Sequence, residues 1–235
     1  YYCHESDNAN VISKYPANFS VLQKAQKVIT HSNYSRDLVR QWFGSRLADD
    51  VDVIPLVRTD VHGFKRSQAR KALGIEEDIF LVCSYGFLDP VKMNAYLLEA
   101  WQASRLGKDN KCMLVFVGQN HGGLYGEQLI KKIKESNKRH ISITGWVDSE
   151  IYRNYLAAAD LAVQLRAHSK GETSAAVLDC MNQGLAAIVN AKGTMADLEK
   201  NAVWMLSETF TTDVLVDALE KLWKDEKLRH ALGEN

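Results

Sequence analysis

Five short runs rich in Val, Ile, Leu and Phe, at residues 79–85, 112–117, 141–147, 161–165 and 186–190, punctuate the chain. Between them, at 91–103, 126–136, 149–159 and 174–183, apolar residues recur every three or four positions. The first pattern predicts strands and the second helices. Strands that alternate with helices build βαβ units, and the resulting parallel sheet carries helices on both faces. The runs are continuous rather than alternately polar and apolar, as expected of strands buried on both sides. The fold class expected is therefore α/β, with a doubly wound parallel sheet. Near the end, Leu215, Ala218, Leu219, Leu222 and Trp223 keep helical spacing within 214–232 and predict one amphipathic packing helix.

Open sheets of this class bind ligands outside the carboxyl ends of their strands, where the strand order reverses. Gly86, Gly118, Gly145 and the loop 166–174 all follow predicted strands, which points to one ligand-binding edge. The stretch from Arg166 to Met181 carries the most chemistry. Thr173 or Ser174 is placed to cap the helix bearing Ala175, Val177, Leu178 and Met181. The free N–H groups of such a helix start attract phosphate. Glu172 stands at the mouth of the turn, where it can meet a hexose, and Asp179 lies further along the helix, where it can reach a ribose hydroxyl. Arg166 follows the predicted strand 161–165 and so lies at the same edge.

Composition narrows the partners. Lys plus Arg equal Asp plus Glu at 29 each, so no overall field draws the chain to nucleic acid. Local clusters, 131–134 with 138–140 and Lys65-Arg66 with Arg70-Lys71, read as solvated helix faces, with a lipid-headgroup contact as the alternative. Cys3, Cys83, Cys112 and Cys180 have no paired spacing and read as thiols of a reducing compartment. The seven histidines form no ligand pattern, so no metal is expected. No apolar run approaches the length of a membrane span, and the start, Tyr1-Tyr2-Cys3-His4-Glu5, is not a signal peptide. A cytoplasmic location follows, at most peripheral at the inner face of a membrane. Both ends read as cut.

The segment Gly171-Glu172-Thr173-Ser174-Ala175-Ala176-Val177-Leu178-Asp179 resembles the signature of retaining, two-domain (GT-B) glycosyltransferases of the glycosyltransferase family 4 type, the glycosyl transferases group 1. In that family a loop Glu and a helix Glu have seven residues between them. Here Glu172 and Asp179 have six, the usual Glu-Gly order reads Gly171-Glu172, and the second acid is Asp. The turn Gly86-Phe87-Leu88-Asp89-Pro90-Val91-Lys92 keeps the family's Gly and Lys, but Phe87 stands where the family has Arg. Arg166 is the candidate replacement for that charge. Lys27 to Ser32, the 35–43 helix and Val51 to Pro55 look like the passage joining the family's two domains.

The resemblance implies a division into residues 1–55, a remnant of the N-terminal acceptor domain with the interdomain connection, and 56–235, a Rossmann-like nucleotide-sugar-binding domain. It implies transfer of a hexose with retention, without a metal cofactor, in surface polysaccharide biosynthesis such as O-antigen assembly. The wording is closest to bacterial mannosyltransferases, which makes GDP-mannose the favoured donor and a UDP-sugar the alternative. The acceptor implied is a saccharide or a lipid-linked glycan, and the missing N-terminal domain is a further partner. Glu172, Lys92 and His4 are the catalytic candidates; Gly86, Arg166, Gly171, Thr173, Ser174, Asp179, Trp146 and Val147 are the donor-binding ones, with Trp146 and Val147 beside the base. No general base is assigned. Two alternatives stand: a non-catalytic nucleotide-sugar-binding module, and a UDP-sugar epimerase of the same architecture. A dehydrogenase is disfavoured, since no Gly-x-Gly-x-x-Gly follows the early strands.

Overall fold

A computed structural model describes residues 17–58, 63–136 and 140–234. The chain divides into two compact units. The smaller comprises residues 17–57 together with the loops 168–174 and 192–197. It contains helix α1 (Ala17–Lys24), strand β1 (Val28–Thr30), helices α2 (Asn33–Phe43) and α3 (Ser45–Asp49), and strand β2 (Val51–Val53). β1 and β2 pair in parallel, Val28 opposite Val51 and Thr30 opposite Val53. Ser32 starts α2 by accepting the Ser35 N–H at 3.0 Å, so one of the helix's four unsatisfied donors finds a partner. Leu38 on α2 is buried.

The larger unit follows the expected alternation. Helix α4 (Arg66–Leu73) precedes β3 (Phe80–Tyr85), α5 (Asn94–Ala103), β4 (Cys112–Val117), α6 (Leu124–Glu135), β5 (Ile141–Ile143), α7 (Ser149–Ala158) and β6 (Leu161–Gln164). Then come α8 (Ala175–Asn182), β7 (Ala187–Asn190), β8 (Trp204–Leu206), α9 (Thr212–Lys224) and α10 (Glu226–Gly233). The six strands β3–β8 form one parallel sheet in the order β5-β4-β3-β6-β7-β8. Counted from β3, this is 3-2-1-4-5-6, the doubly wound order with its reversal between β3 and β6.

The core explains the continuous runs. Every residue of β6 and β7 is buried, because helices cover both faces. On one face Val82, Leu114, Phe116, Leu161 and Val163 pack with Leu97, Trp101, Leu215, Leu219 and Leu222. On the other, α4 lies against α7. There the fully buried Arg70 donates to the carbonyls of Ala158, Glu76, Glu77 and Ile79 and to Asp160 Oδ2 at 2.8 Å. Asp160 also accepts from the Leu81 N–H at 2.7 Å and pairs with Arg66, so one carboxylate ties α4, β3 and the start of β6 together. Burial lowers the pKa of Arg70, a push that Asp160 opposes.

Four elements differ from the sequence expectation, the first being the strand expected over 141–147, which ends at Ile143. The helix expected from 91 begins as a 3-10 turn, Pro90–Lys92, and breaks at Met93, whose φ is 53°. Asp89 caps that turn through the Val91 N–H, and its own N–H bonds Asn94 Oδ1, so the sequence Asp-Pro starts the turn before the helix can. The single C-terminal helix is two, divided at Asp225, whose carboxylate accepts the Leu228 N–H at 3.0 Å and caps the second. Strand β8, only three residues long, was not expected at all. Cys83, Cys112 and Cys180 are free and buried, as expected. Among the described residues no helix is long and apolar enough to cross a membrane.

Candidate functional site

In the larger unit, the loops leaving β3 and β6 frame the reversal of strand order. Gly86 follows β3 with φ +98°, a left-handed conformation that glycine adopts without steric cost, and its N–H bonds the Val117 carbonyl at 2.9 Å. A Cβ at position 86 would lie 2.3 Å from Lys92 Nζ, so the ammonium rests directly over the glycine. The 3-10 turn doubles the chain back to put it there. Beyond β6, Asn190 at the end of β7 brackets Arg166: its Oδ1 accepts the Arg166 N–H at 2.8 Å and its Nδ2 donates to the Arg166 carbonyl at 2.8 Å. Arg166 also donates from Nη1 to the Leu165 carbonyl at 3.1 Å. The Ala167 N–H donates to the Val91 carbonyl at 2.8 Å and stitches the two loops together.

The electrostatics follow from this proximity. Lys92 is pushed down to about 8, first by burial and second by the Arg166 charge, with Asp89 opposing. Lys92 and Arg166 therefore both lie at the carboxyl edge of the parallel sheet, close enough for the charge of one to act on the other. Phe87 adds no charge; it is 46% exposed, with its ring centroid 6.0 Å from that of His121. Gly86, Lys92 and Arg166 are thus brought together. Trp146 and Val147 follow β5 and the left-handed Gly145. Trp146 is 77% exposed, and its N–H donates to Gln119 Oε1 at 3.2 Å, in the loop after β4.

Asp179 lies within α8 and is buried. Both carboxylate oxygens are engaged: Arg58 Nε donates to Oδ1 at 2.7 Å, Arg58 Nη2 to Oδ2 at 3.0 Å, and the Tyr152 hydroxyl to Oδ2 at 3.0 Å. The bond to Asp179 raises the pKa of Arg58, while burial, then the Asp179 charge, push the Tyr152 phenol up. Sequence reasoning missed Arg58 and passed over Tyr152 as a helix residue. Tyr152 had one available signal, the Asp148 cap that fixes where α7 starts. Arg58 had none, since its partner lies 121 residues away.

In the smaller unit, the loop 168–174 is anchored by its backbone. Gly171 has φ +97°, and its carbonyl accepts from Ser35 Oγ. A Cβ there would lie 3.1 Å from Leu38 Cδ1 and 3.2 Å from Ser35 Oγ. Thr194 Oγ1 donates to the Glu172 carbonyl at 2.9 Å. The Glu172 side chain is exposed, and its Oε2 accepts the Lys170 N–H at 2.7 Å. Ser174 is buried just before α8. Thr173 Oγ1 is buried with no hydrogen-bond partner among the described residues, so it does not cap α8 through its hydroxyl. His4 lies outside the described residues. Among the described residues no three His, Cys, Asp or Glu side chains gather as metal ligands.

A parallel six-stranded sheet in this order matches the C-terminal Rossmann-like domain of GT-B glycosyltransferases. Residues 65–235 match the family described as Glycosyl transferases group 1, and the chain belongs to that family. No curated protein sequence matches it. Among solved structures, Alr3699/HepE of Anabaena, in complex with UDP and glucose, superposes with a TM-score of 0.80 at 18% identity, over 100% of this chain and 64% of that one. Sucrose-phosphate synthase of Thermosynechococcus elongatus gives 0.78 at 20% identity over 94% and 55%. The C-terminal domain of LpcC, a glycosyl transferase group 1 family protein of Francisella tularensis, gives 0.64 at 21% over 76% and 94%. The chain therefore spans under two thirds of the length of HepE.

Proposed function

We propose that the chain carries the donor-binding half of a glycosyltransferase that takes a hexose from a nucleoside diphosphate sugar and transfers it, with retention, to a saccharide or lipid-linked glycan. The observation that carries this reading is the Lys92 ammonium over Gly86 beside Arg166 at the strand reversal. A diphosphate leaving group needs positive charge aimed at it, and Arg166 supplies what Phe87 does not. Lys92 holds the diphosphate with Arg166. Glu172 holds sugar hydroxyls, Asp179 the ribose, and Trp146 with Val147 the base.

GDP-mannose is the donor favoured by the wording of the motif, and surface polysaccharide the product. The complexes of HepE with UDP and with UDP-glucose favour a UDP-hexose instead. A second reading, a nucleotide-sugar-binding module without turnover, is favoured by Phe87 and by the shortened spacing from Glu172 to Asp179. Titration calorimetry with UDP, GDP, UDP-glucose and GDP-mannose separates these. Binding of one nucleotide family is expected, weakened about tenfold or more in Lys92→Ala, as for loss of a charge-assisted contact. A full-length protein that binds donor without turnover would establish the second reading; no binding of any of the four would sink both.

A further inference from the structure

Arg58 makes a two-point fork on Asp179 that neither the motif nor the family match assigns, and the arithmetic of acceptors gives it a consequence. A carboxylate offers about four acceptor directions, two on each oxygen. Three are filled: one on Oδ1 by Arg58 Nε, and both on Oδ2, by Arg58 Nη2 and the Tyr152 hydroxyl. The guanidinium is planar and its donors are fixed relative to one another, so the fork also sets the rotation of the carboxyl group. Asp179 keeps only 10% of its side-chain surface exposed and Arg58 32%, so water competes weakly for these bonds. Tyr152 packs in turn against Tyr85, ring centroids 5.5 Å apart and planes at 72°.

We propose that Arg58 is the positioning residue of the donor pocket: with Tyr152, it leaves Asp179 a single open acceptor direction, on Oδ1, which takes one hydroxyl of a nucleoside diphosphate ribose and not two. This rests on the reading of the site as a donor pocket. It extends that reading by predicting that the two ribose hydroxyls are unequal in recognition. A diol chelated across a free carboxylate would make both count.

The test is calorimetric binding of UDP and GDP to the full chain, followed by the 2′-deoxy and 3′-deoxy forms of whichever binds. In the unaltered protein one deoxy analogue should bind about tenfold more weakly, the cost of one hydroxyl bound to a charged acceptor, and the other within about twofold. Arg58→Lys keeps a cation but loses the fork, and should bring the two penalties within about threefold of each other. Tyr152→Phe reopens a direction on Oδ2 and should extend the penalty to both analogues. Thermal unfolding of each variant shows that it is folded, and a merely structural role for Arg58 would lower the melting point without altering the ratio of penalties. Equal penalties in the unaltered protein, or a ratio unmoved in both variants, would overturn the inference while leaving the donor reading intact. Failure of UDP and GDP alike to bind would overturn the donor reading and the inference with it.

Discussion

Lys92 concentrates the chemistry of the larger unit in one titratable group. Its ammonium is disfavoured by burial and by Arg166, so its pKa falls to about 8 while an unfolded chain would hold the proton to the usual lysine value. Two opposite pH trends follow. On the donor-binding function proposed above, a diphosphate needs the cation, so affinity for nucleoside diphosphate is expected to fall as pH rises through about 8. Calorimetry at pH 8 in buffers of different ionisation enthalpy should show proton uptake on binding. The ligand-free fold behaves the other way. Above pH 8 the folded chain binds fewer protons at this site than the unfolded one, so Lys92 contributes rising stability from about 8 up to the ordinary lysine range. Lys92→Arg keeps its charge throughout and should bind with no step near pH 8, whereas a step that persists in this variant would show that another group titrates. Gly86→Ala tests the same contact sterically. Its Cβ would displace Nζ, now 2.3 Å away at the end of a flexible side chain, and its φ of +98° strains any side chain, so nucleotide affinity should fall, by less than in Lys92→Ala.

At the level of elements, the ion pair of Arg70 and Asp160 shows what the sequence could and could not reveal. The strands were legible because helices cover both faces and leave long apolar runs; β3, β4, β6 and β7 begin and end within a residue of those runs. β8 was not, because three residues at a sheet edge make too short a pattern. The break at Met93 was hidden in a helical period, although Asp89-Pro90 marked the turn that causes it. Arg70 read as part of a solvated basic face, yet its side chain is fully buried. Nothing local distinguishes such an arginine, since its acceptors come from residues 76–79 and 158–160, brought together only by the sheet. Removing one partner of a buried pair leaves the other partly uncompensated. Arg70→Ala should therefore cost about 3 kcal/mol in chemical denaturation. Arg66→Ala removes a 42%-exposed partner of the same Asp160 and should cost less than about 1 kcal/mol. Equal costs would mean that burial is not what gives Arg70 its weight.

At the level of the whole molecule, the motif that dominates the sequence is divided between the two units. Residues 168–174 and 192–197 belong to the compact unit formed with 17–57, although the chain on either side of each belongs to the large sheet unit. The motif's acids were legible as residue types at a spacing, but the support of their loop was not, because Ser35 and Gly171 are 136 positions apart. That support is specific. Ser32 caps α2 and bonds Ser35, hydroxyl to hydroxyl at 2.8 Å; Ser35 in turn donates to the Gly171 carbonyl, and Thr194 holds the Glu172 carbonyl at 2.9 Å. A fragment of residues 58–235 retains every strand of the six-stranded sheet and the helices on both its faces, so it should keep cooperative unfolding. In it the amides of 168–174 should exchange with deuterium far faster than in the full chain, because the Ser35 anchor is gone. Ser35→Ala in the full chain should reproduce part of that acceleration, with a loss in global stability of about 1 kcal/mol or less, the net worth of one hydrogen bond. Unchanged exchange in both would mean that the loop is ordered by its own internal bonds, from Lys170 N–H to Glu172 and from Gly171 N–H to Ser169, and that residues 17–57 do not shape the motif.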